Sequence, residues 1–171
     1  AGGNGNMGRQ FASFLCKAGA KVIVVDINSD VEKINFNSTK GEIIGISCDL
    51  SSDKEVIELF NDLKQKFGKL DFLISTIMSR PERYYEKFET YDAKTWNEVM
   101  SGNVTSSFML CQHASSLMKV NGGSIILTSS IYGLVGPDYR IYEDLEESSN
   151  PYDSNRKLTL PHSYSASKGA L

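Results

Sequence analysis

The chain has 171 residues and a net charge of -3, from 18 Lys and Arg against 21 Asp and Glu; 40% of it is hydrophobic and 23% charged. That size and composition suit one globular domain and exclude a fibrous or disordered chain. The acidic balance argues against nucleic acid as the main partner, because phosphate binding needs a basic face, and no apolar run approaches the roughly 20 residues of a membrane-spanning helix.

The chain opens on Gly3-Asn-Gly5-Asn-Met-Gly8, and Phe11, Phe14, Leu15 and Ala18 then recur at helical spacing until Gly19. Lys21 to Val25 is an unbroken β-branched run ending at Asp26, as suits a parallel strand buried on both faces. Glu42 to Cys48 predicts a second strand, closed by Asp49. Ser52 and Glu55 form a capping box that opens a helix with Val56, Phe60, Leu63 and Phe67 on one face; Gly68 stops it. Asp71 to Ser75 predicts a third strand, and Thr95 to Val120 a helix broken near Gly102. Gly123 to Thr128 predicts a fourth strand, ending in Ser129-Ser130. From 137 to 161 the pattern dissolves into acids, Tyr, Ser, Asn and Pro, a lid-like insertion too long for a simple connector. The alternation predicts an α/β fold of Rossmann type, a doubly wound parallel sheet with helices on both faces. Cys16, Cys48 and Cys111 sit inside apolar patterns and read as buried hydrophobes in a reducing compartment. His113 and Trp96 read as helix packing, His162 as a turn residue, and Glu143, Asp144, Glu146 and Glu147 as a solvated loop face; no metal site is expected.

Three groups of residues carry chemistry. Gly3, Gly5 and Gly8 fit G-x-G-x-x-G before a helix, where glycine lets backbone N–H groups approach a pyrophosphate. Asp26 ends the next strand, 18 positions after Gly8, where a carboxylate accepts both ribose hydroxyls and repels a 2′-phosphate. Ile27 and Asn28 follow with no adjacent base, which favours NAD over NADP. Tyr164 and Lys168 are spaced i, i+4 and share a helix face. A phenol has an ordinary pKa of about 10, and a neighbouring cation favours its phenolate, bringing it closer to useful proton transfer.

In joint order these residues resemble the short-chain dehydrogenase/reductase (SDR) family over nearly the whole chain. Gly2, Gly3, Gly5, Asn6, Met7 and Gly8 match its cofactor turn, with Ala1 where Thr is usual; Asp26 matches the ribose-binding acid, and Asp49-Leu50 the pair that meets the adenine edge. Asn103, Ser130, Tyr164 and Lys168 match the catalytic tetrad. The resemblance implies that Tyr164 passes a proton to or from the substrate oxygen. Lys168 stabilises phenolate and binds the nicotinamide ribose, Ser130 bonds the reacting oxygen, and Asn103 holds a water that links Lys168 to solvent.

Two departures stand out. Ser75-Thr76-Ile77-Met78 replaces the usual Asn-Asn-Ala-Gly, which puts the local geometry there in question, and 34 positions separate Ser130 from Tyr164, a long gap for the family. The residues that open this gap, Gly136 to Glu143, resemble the insert of bacterial enzymes linked to flagellin modification and sialic-acid-like sugars. The insertion's Tyr, Arg, Asn and acids suit a hydroxyl-rich or anionic substrate, with Arg140 the choice for a carboxylate or phosphate contact unless a neighbouring acid pairs with it. The implied function is NAD-dependent hydride transfer to or from a small carbonyl or alcohol, such as a sugar or sugar-acid precursor of surface glycans, in a cytoplasmic homo-oligomer without nucleic-acid or membrane partners. An extended sugar-nucleotide epimerase or dehydratase and a non-catalytic dinucleotide sensor are the alternatives. The chain starts in the glycine turn without a preceding strand and stops just after Lys168. Residues 1–171 are therefore expected to be one nucleotide-binding domain, truncated at both ends and inactive alone, with a gap in the sheet between the strands ending at Asp26 and Ser75.

Overall fold

The computed structural model describes residues 1–35, 40–146 and 150–171. The chain forms two compact units, Ala1–Ile77 with Thr105–Thr128, and Met78–Val104 with Ser129–Leu171.

The first unit holds helices α1 (Asn6–Lys17), α2 (Asp53–Phe67) and α4 (Ser106–Met118) and strands β1 (Lys21–Asp26), β2 (Glu42–Ser47), β3 (Phe72–Ser75) and β4 (Ser124–Leu127). Helix α2 starts where the capping box predicts: Ser52 Oγ accepts from Glu55 N. The Glu55 carboxylate, however, accepts from Asp49 N at 2.8 Å, so the box closes on the end of the preceding strand. Gly68, with φ 71°, ends the helix in the left-handed region that favours glycine.

Strand β1 is apolar on both faces because each face is covered. Val25 and Ile23 pack with Val56, Leu59, Phe60 and Leu63 of α2 and Leu110, Ala114 and Leu117 of α4. Val24 and Val22 pack with Ala12 of α1, Val31 and Ile34. Each fully buried side chain of this kind contributes about 1.5–3 kcal/mol. The buried stripe of α1 is Gly8, Ala12 and Cys16, not the one its aromatics suggest. Phe14 is 73% exposed, because only small residues fit the close approach of α1 to β1. His113 stacks on Phe60 at 5.3 Å, joining α4 to α2 as packing.

β1 pairs with β2, and β3 with β4, both in parallel, but the two pairs are separate sheets. The expected gap is therefore present. Ala1–Gly3 bonds to both sides of it: Gly3 N donates to Val25 O, Thr76 N to Ala1 O, and the Ala1 amino group to Ile74 O. Behind these residues lies a cavity of about 900 Å³, lined by Val22 to Val25, Phe72 to Ile74, Phe11, Leu15, Leu63 and Phe67 among others. Thr76 answers the question raised by the unusual Ser75-Thr76-Ile77-Met78. Its hydroxyl donates to the Ala1 and Gly2 carbonyls at 3.2 and 3.1 Å and holds the glycine turn from below.

The second unit holds α3 (Ala93–Met100), α5 (His162–Gly169) and short 3-10 turns, with no strand among its described residues. The predicted break near Gly102 is a π-helical segment, Ser101–Thr105; a Cβ on Gly102 would lie 2.5 Å from Ser79 Cβ. Trp96 is 37% exposed on α3, so the packing expected of it is partial. The described residues of the insertion include a 3-10 turn, Tyr139–Tyr142; its residues 147–149, Glu147 included, lie outside the described residues.

Candidate active site

The glycine turn and Asp26 meet in the first unit. Asp26 Oδ2 accepts from Asn4 N at 2.9 Å and Oδ1 from Asn28 N at 3.1 Å, so the carboxylate is fixed beside the turn. A Cβ on Gly8 would lie 2.4 Å from Gly2 O, and one on Gly3 2.4 Å from Val24 Cγ1, which excludes side chains at both positions. Helix α1 begins at Asn6 after Gly5, with no side chain capping its first turn and no acid in it. Its leading N–H groups, at Asn6, Met7 and Gly8, therefore remain available to an anion. The Asn4 side-chain oxygen at the same turn is buried without a partner among the described residues. An uncapped helix start, glycines with no space for Cβ and a fixed acid at the next strand end fit the pyrophosphate and ribose of a dinucleotide. At the end of β2, Asp49 Oδ1 accepts from Ser51 N and Ser51 Oγ, and Leu50 is buried in the core, so Leu50 offers only its backbone to a ligand.

The four other expected residues lie in the second unit. Tyr164 and Lys168 are on α5, Tyr164 half-buried and Lys168 5% exposed. Burial holds the Lys168 ammonium below the usual lysine value. Ser130 caps the 3-10 turn Ile131–Gly133, its Oγ accepting from Tyr132 N, which leaves the hydroxyl proton for another acceptor. Asn103 is fully buried in the π-helical segment. Its Oδ1 accepts from Ser79 N at 2.7 Å and its Nδ2 donates to Ser167 Oγ at 3.0 Å. The Asn103 side chain thus joins three segments.

Several residues that set this geometry escaped the sequence reading. Ser167 Oγ donates to Tyr164 O at 2.9 Å, relaying Asn103 to the tyrosine's own turn. Ser129 Oγ donates to Lys168 O at 2.6 Å. A Cβ on Gly133 would lie 2.5 Å from that same carbonyl, so the Ser130 turn packs directly on the end of α5. Tyr91 OH meets Ser163 Oγ at 2.6 Å, next to Tyr164. Serines at i+3 and i-1 of a tyrosine carry no distinctive sequence signal; only the fold reveals these contacts.

The insertion docks on α5. His162 Nδ1 lies 2.9 Å from Tyr139 OH, and the His162 ring meets Phe88 edge-on at 4.7 Å. Arg140 does not stand ready for an anion: Asp138 takes its guanidinium in a two-pronged pair at 2.8 and 2.7 Å. Arg156 is held by Glu86 and Asp153, and Arg83 by Asp92 and Glu86. Among the described residues no cluster of His, Cys, Asp or Glu could hold a metal ion, and no helix is long and apolar enough to cross a membrane.

Comparison with known proteins agrees with this geometry. The family described as enoyl-(acyl carrier protein) reductase matches residues 2–145. A 3β-hydroxysteroid dehydrogenase of Mediterraneibacter gnavus is 30% identical over 141 residues, covering 79% of this chain and 49% of the relative. The crystal structure of a short-chain dehydrogenase from Leptospira borgpetersenii with bound NAD+ superposes with a TM-score of 0.75 at 27% identity, over 98% of this chain and 58% of that one. An NAD+-bound xylitol dehydrogenase gives a TM-score of 0.75 at 26% identity, over 99% and 57%. The chain spans about half the length of the curated relatives it matches, and its fold is of Rossmann type.

Proposed function

The chain belongs to the short-chain dehydrogenase/reductase family, and from that premise we propose that it carries the nucleotide-binding domain, residues 1–171, of an oxidoreductase. The enzyme moves hydride between NAD and a small, hydroxyl-rich carbonyl or alcohol compound, for which a sugar precursor of surface glycans is the fitting class. The observation that carries this reading is the α5 arrangement: a buried lysine one turn from Tyr164, with the Ser130 turn seated on the lysine's own carbonyl.

When bound, the nicotinamide supplies or accepts the hydride. The chain's residues do the rest. The α1 amides and Gly8 hold the pyrophosphate, and Asp26 accepts the ribose hydroxyls and disfavours a 2′-phosphate. Tyr164 gives its proton to the substrate oxygen as negative charge builds there, and Ser130 donates a second hydrogen bond to the same atom. Lys168 then stabilises the phenolate left on Tyr164. Asn103 positions Tyr164 through Ser167.

Titration should show tighter binding of NADH than NADPH, and Asp26→Ala should narrow that difference; equal affinities in the unmutated enzyme would refute the NAD assignment. Tyr164→Phe should remove nearly all turnover while NADH binding survives. A variant with ordinary kcat would show that another group moves the proton.

A further inference from the structure

A cavity of about 440 Å³ lies within the second unit, lined by Arg80, Glu82, Tyr85, Tyr152, Asn155 and Arg156 among others. That volume suits a small ligand. None of Asn103, Ser130, Tyr164 and Lys168 lines it. Its walls are tied down on both sides. Tyr84 N donates to Pro81 O at 3.0 Å and fixes the turn between Arg80 and Tyr85. On the insertion side, Tyr152 N donates at 3.0 Å to Oδ1 of Asn150, which is 3% exposed. Arg156 joins the two sides: Nε and Nη2 each donate to Glu86 Oε1 at 3.2 Å, and Nη1 donates to Asp153 Oδ2 at 2.8 Å.

The two cations of this cavity differ. Arg156 is matched by two carboxylates. Arg80 is exposed and makes no ion pair or hydrogen bond among the described residues, although Glu82 lines the same cavity. Instead its guanidinium carbon lies 4.3 Å over the ring centroid of Tyr152, and Tyr85 lies parallel to Tyr152 at 6.3 Å. A guanidinium held over a ring through its charge spends none of its N–H donors. The stack therefore places the fork without occupying it. One uncommitted cation beside the carboxylates of Glu82 and Asp153 matches a single negative charge and opposes a phosphate dianion. A planar carboxylate presents two oxygens to such a fork. Glu82 and the Asn155 amide then offer acceptors to hydroxyl groups of the same molecule.

We propose that this cavity binds a hydroxylated monocarboxylate, such as a sugar acid, with Arg80 gripping the carboxylate above Tyr152 and Glu82 accepting from a hydroxyl. The site stands on its own residues and does not depend on the oxidoreductase reading. Its test separates a carboxylate that takes the substrate's place from one carried by a second molecule.

The test is calorimetric titration of the full-length protein at low salt, because an exposed ion pair is screened. D-glucuronate is compared with D-glucose, which differ only in a carboxylate for a hydroxymethyl group. Glucuronate should bind roughly 5- to 10-fold tighter, the scale of an exposed, two-pronged charge pair. Arg80→Gln should erase that preference and Tyr152→Leu should reduce it. Both should keep the parent thermal midpoint, because both side chains are exposed. Arg140→Gln removes a guanidinium already matched by Asp138 and should leave the preference unchanged. Equal affinity for the two sugars, no binding of glucuronate, or a preference that survives Arg80→Gln overturns the proposal. So does an equal loss in Arg140→Gln, which would mark nonspecific attraction of charge. The source is read from turnover of a small neutral ketone. Bound glucuronate that raises KM alone takes the substrate's place; bound glucuronate that leaves KM unchanged is a second molecule. Turnover without glucuronate binding would sink this site and leave the oxidoreductase reading standing, and glucuronate binding without NADH-dependent turnover would do the reverse.

Discussion

Lys168 carries a conflict between folding and chemistry in one side chain. It is buried, and burial depresses its pKa below that of an unfolded lysine. A group whose folded pKa is lowered binds fewer protons than it does in the unfolded chain, so its ammonium costs stability at neutral pH. That cost disappears only above the unfolded value of about 10.4. Lys168→Met is therefore expected to leave the thermal midpoint unchanged or raised while turnover falls to background. Calorimetry beside an NADH oxidation assay checks both halves, and a lowered midpoint would show that the charge supports the fold. At this scale the sequence exposes residues whose type is itself the signal. Asp26, Tyr164 and Lys168 stand at spacings that elementary chemistry can interpret. Ser167 and Gly133 were not legible, and Ser129 was legible only as part of a strand-end pair, because each acts through one hydrogen bond or one missing methyl against a backbone carbonyl. Arg140 was legible as a cation open to a ligand or to a neighbouring acid, and the structure pairs it with Asp138, two residues away.

At the scale of elements, the insertion and α5 are joined by aromatic rings around an imidazole. Partial burial lowers the His162 pKa, with Glu89 acting weakly the other way, so the folded clasp favours neutral His162. As pH falls below the ordinary value of about 6.5, the unfolded or undocked form binds more protons, and docking weakens. Limited proteolysis of the insertion should accelerate between neutral pH and pH about 5, and His162→Gln should remove that dependence. Cleavage that ignores pH in the parent protein would refute the clasp. The helices and strands of the first unit were legible from periodicity and caps, because burial on two faces produces a β-branched run like Lys21 to Val25. The stripe of α1 misled because Phe11 and Phe14 look like core, whereas close packing on β1 admits only Gly8, Ala12 and Cys16. The insertion has no period, so nothing in its sequence announced the Tyr139–His162–Phe88 contact.

On the scale of the whole molecule, the described residues form two compact units, with the glycine turn and Asp26 in the first and Asn103, Ser130, Tyr164 and Lys168 in the second. The central claim, hydride transfer organised by Tyr164 on α5, is tested most directly by following the label from NADH deuterated at its transferable position. With the full-length enzyme and a small ketone that it turns over, the account predicts deuterium on the new carbinol carbon of the product, and no labelled product from Tyr164→Phe. Product carrying solvent hydrogen at that carbon, or equal label transfer by the Tyr164→Phe variant, would contradict it.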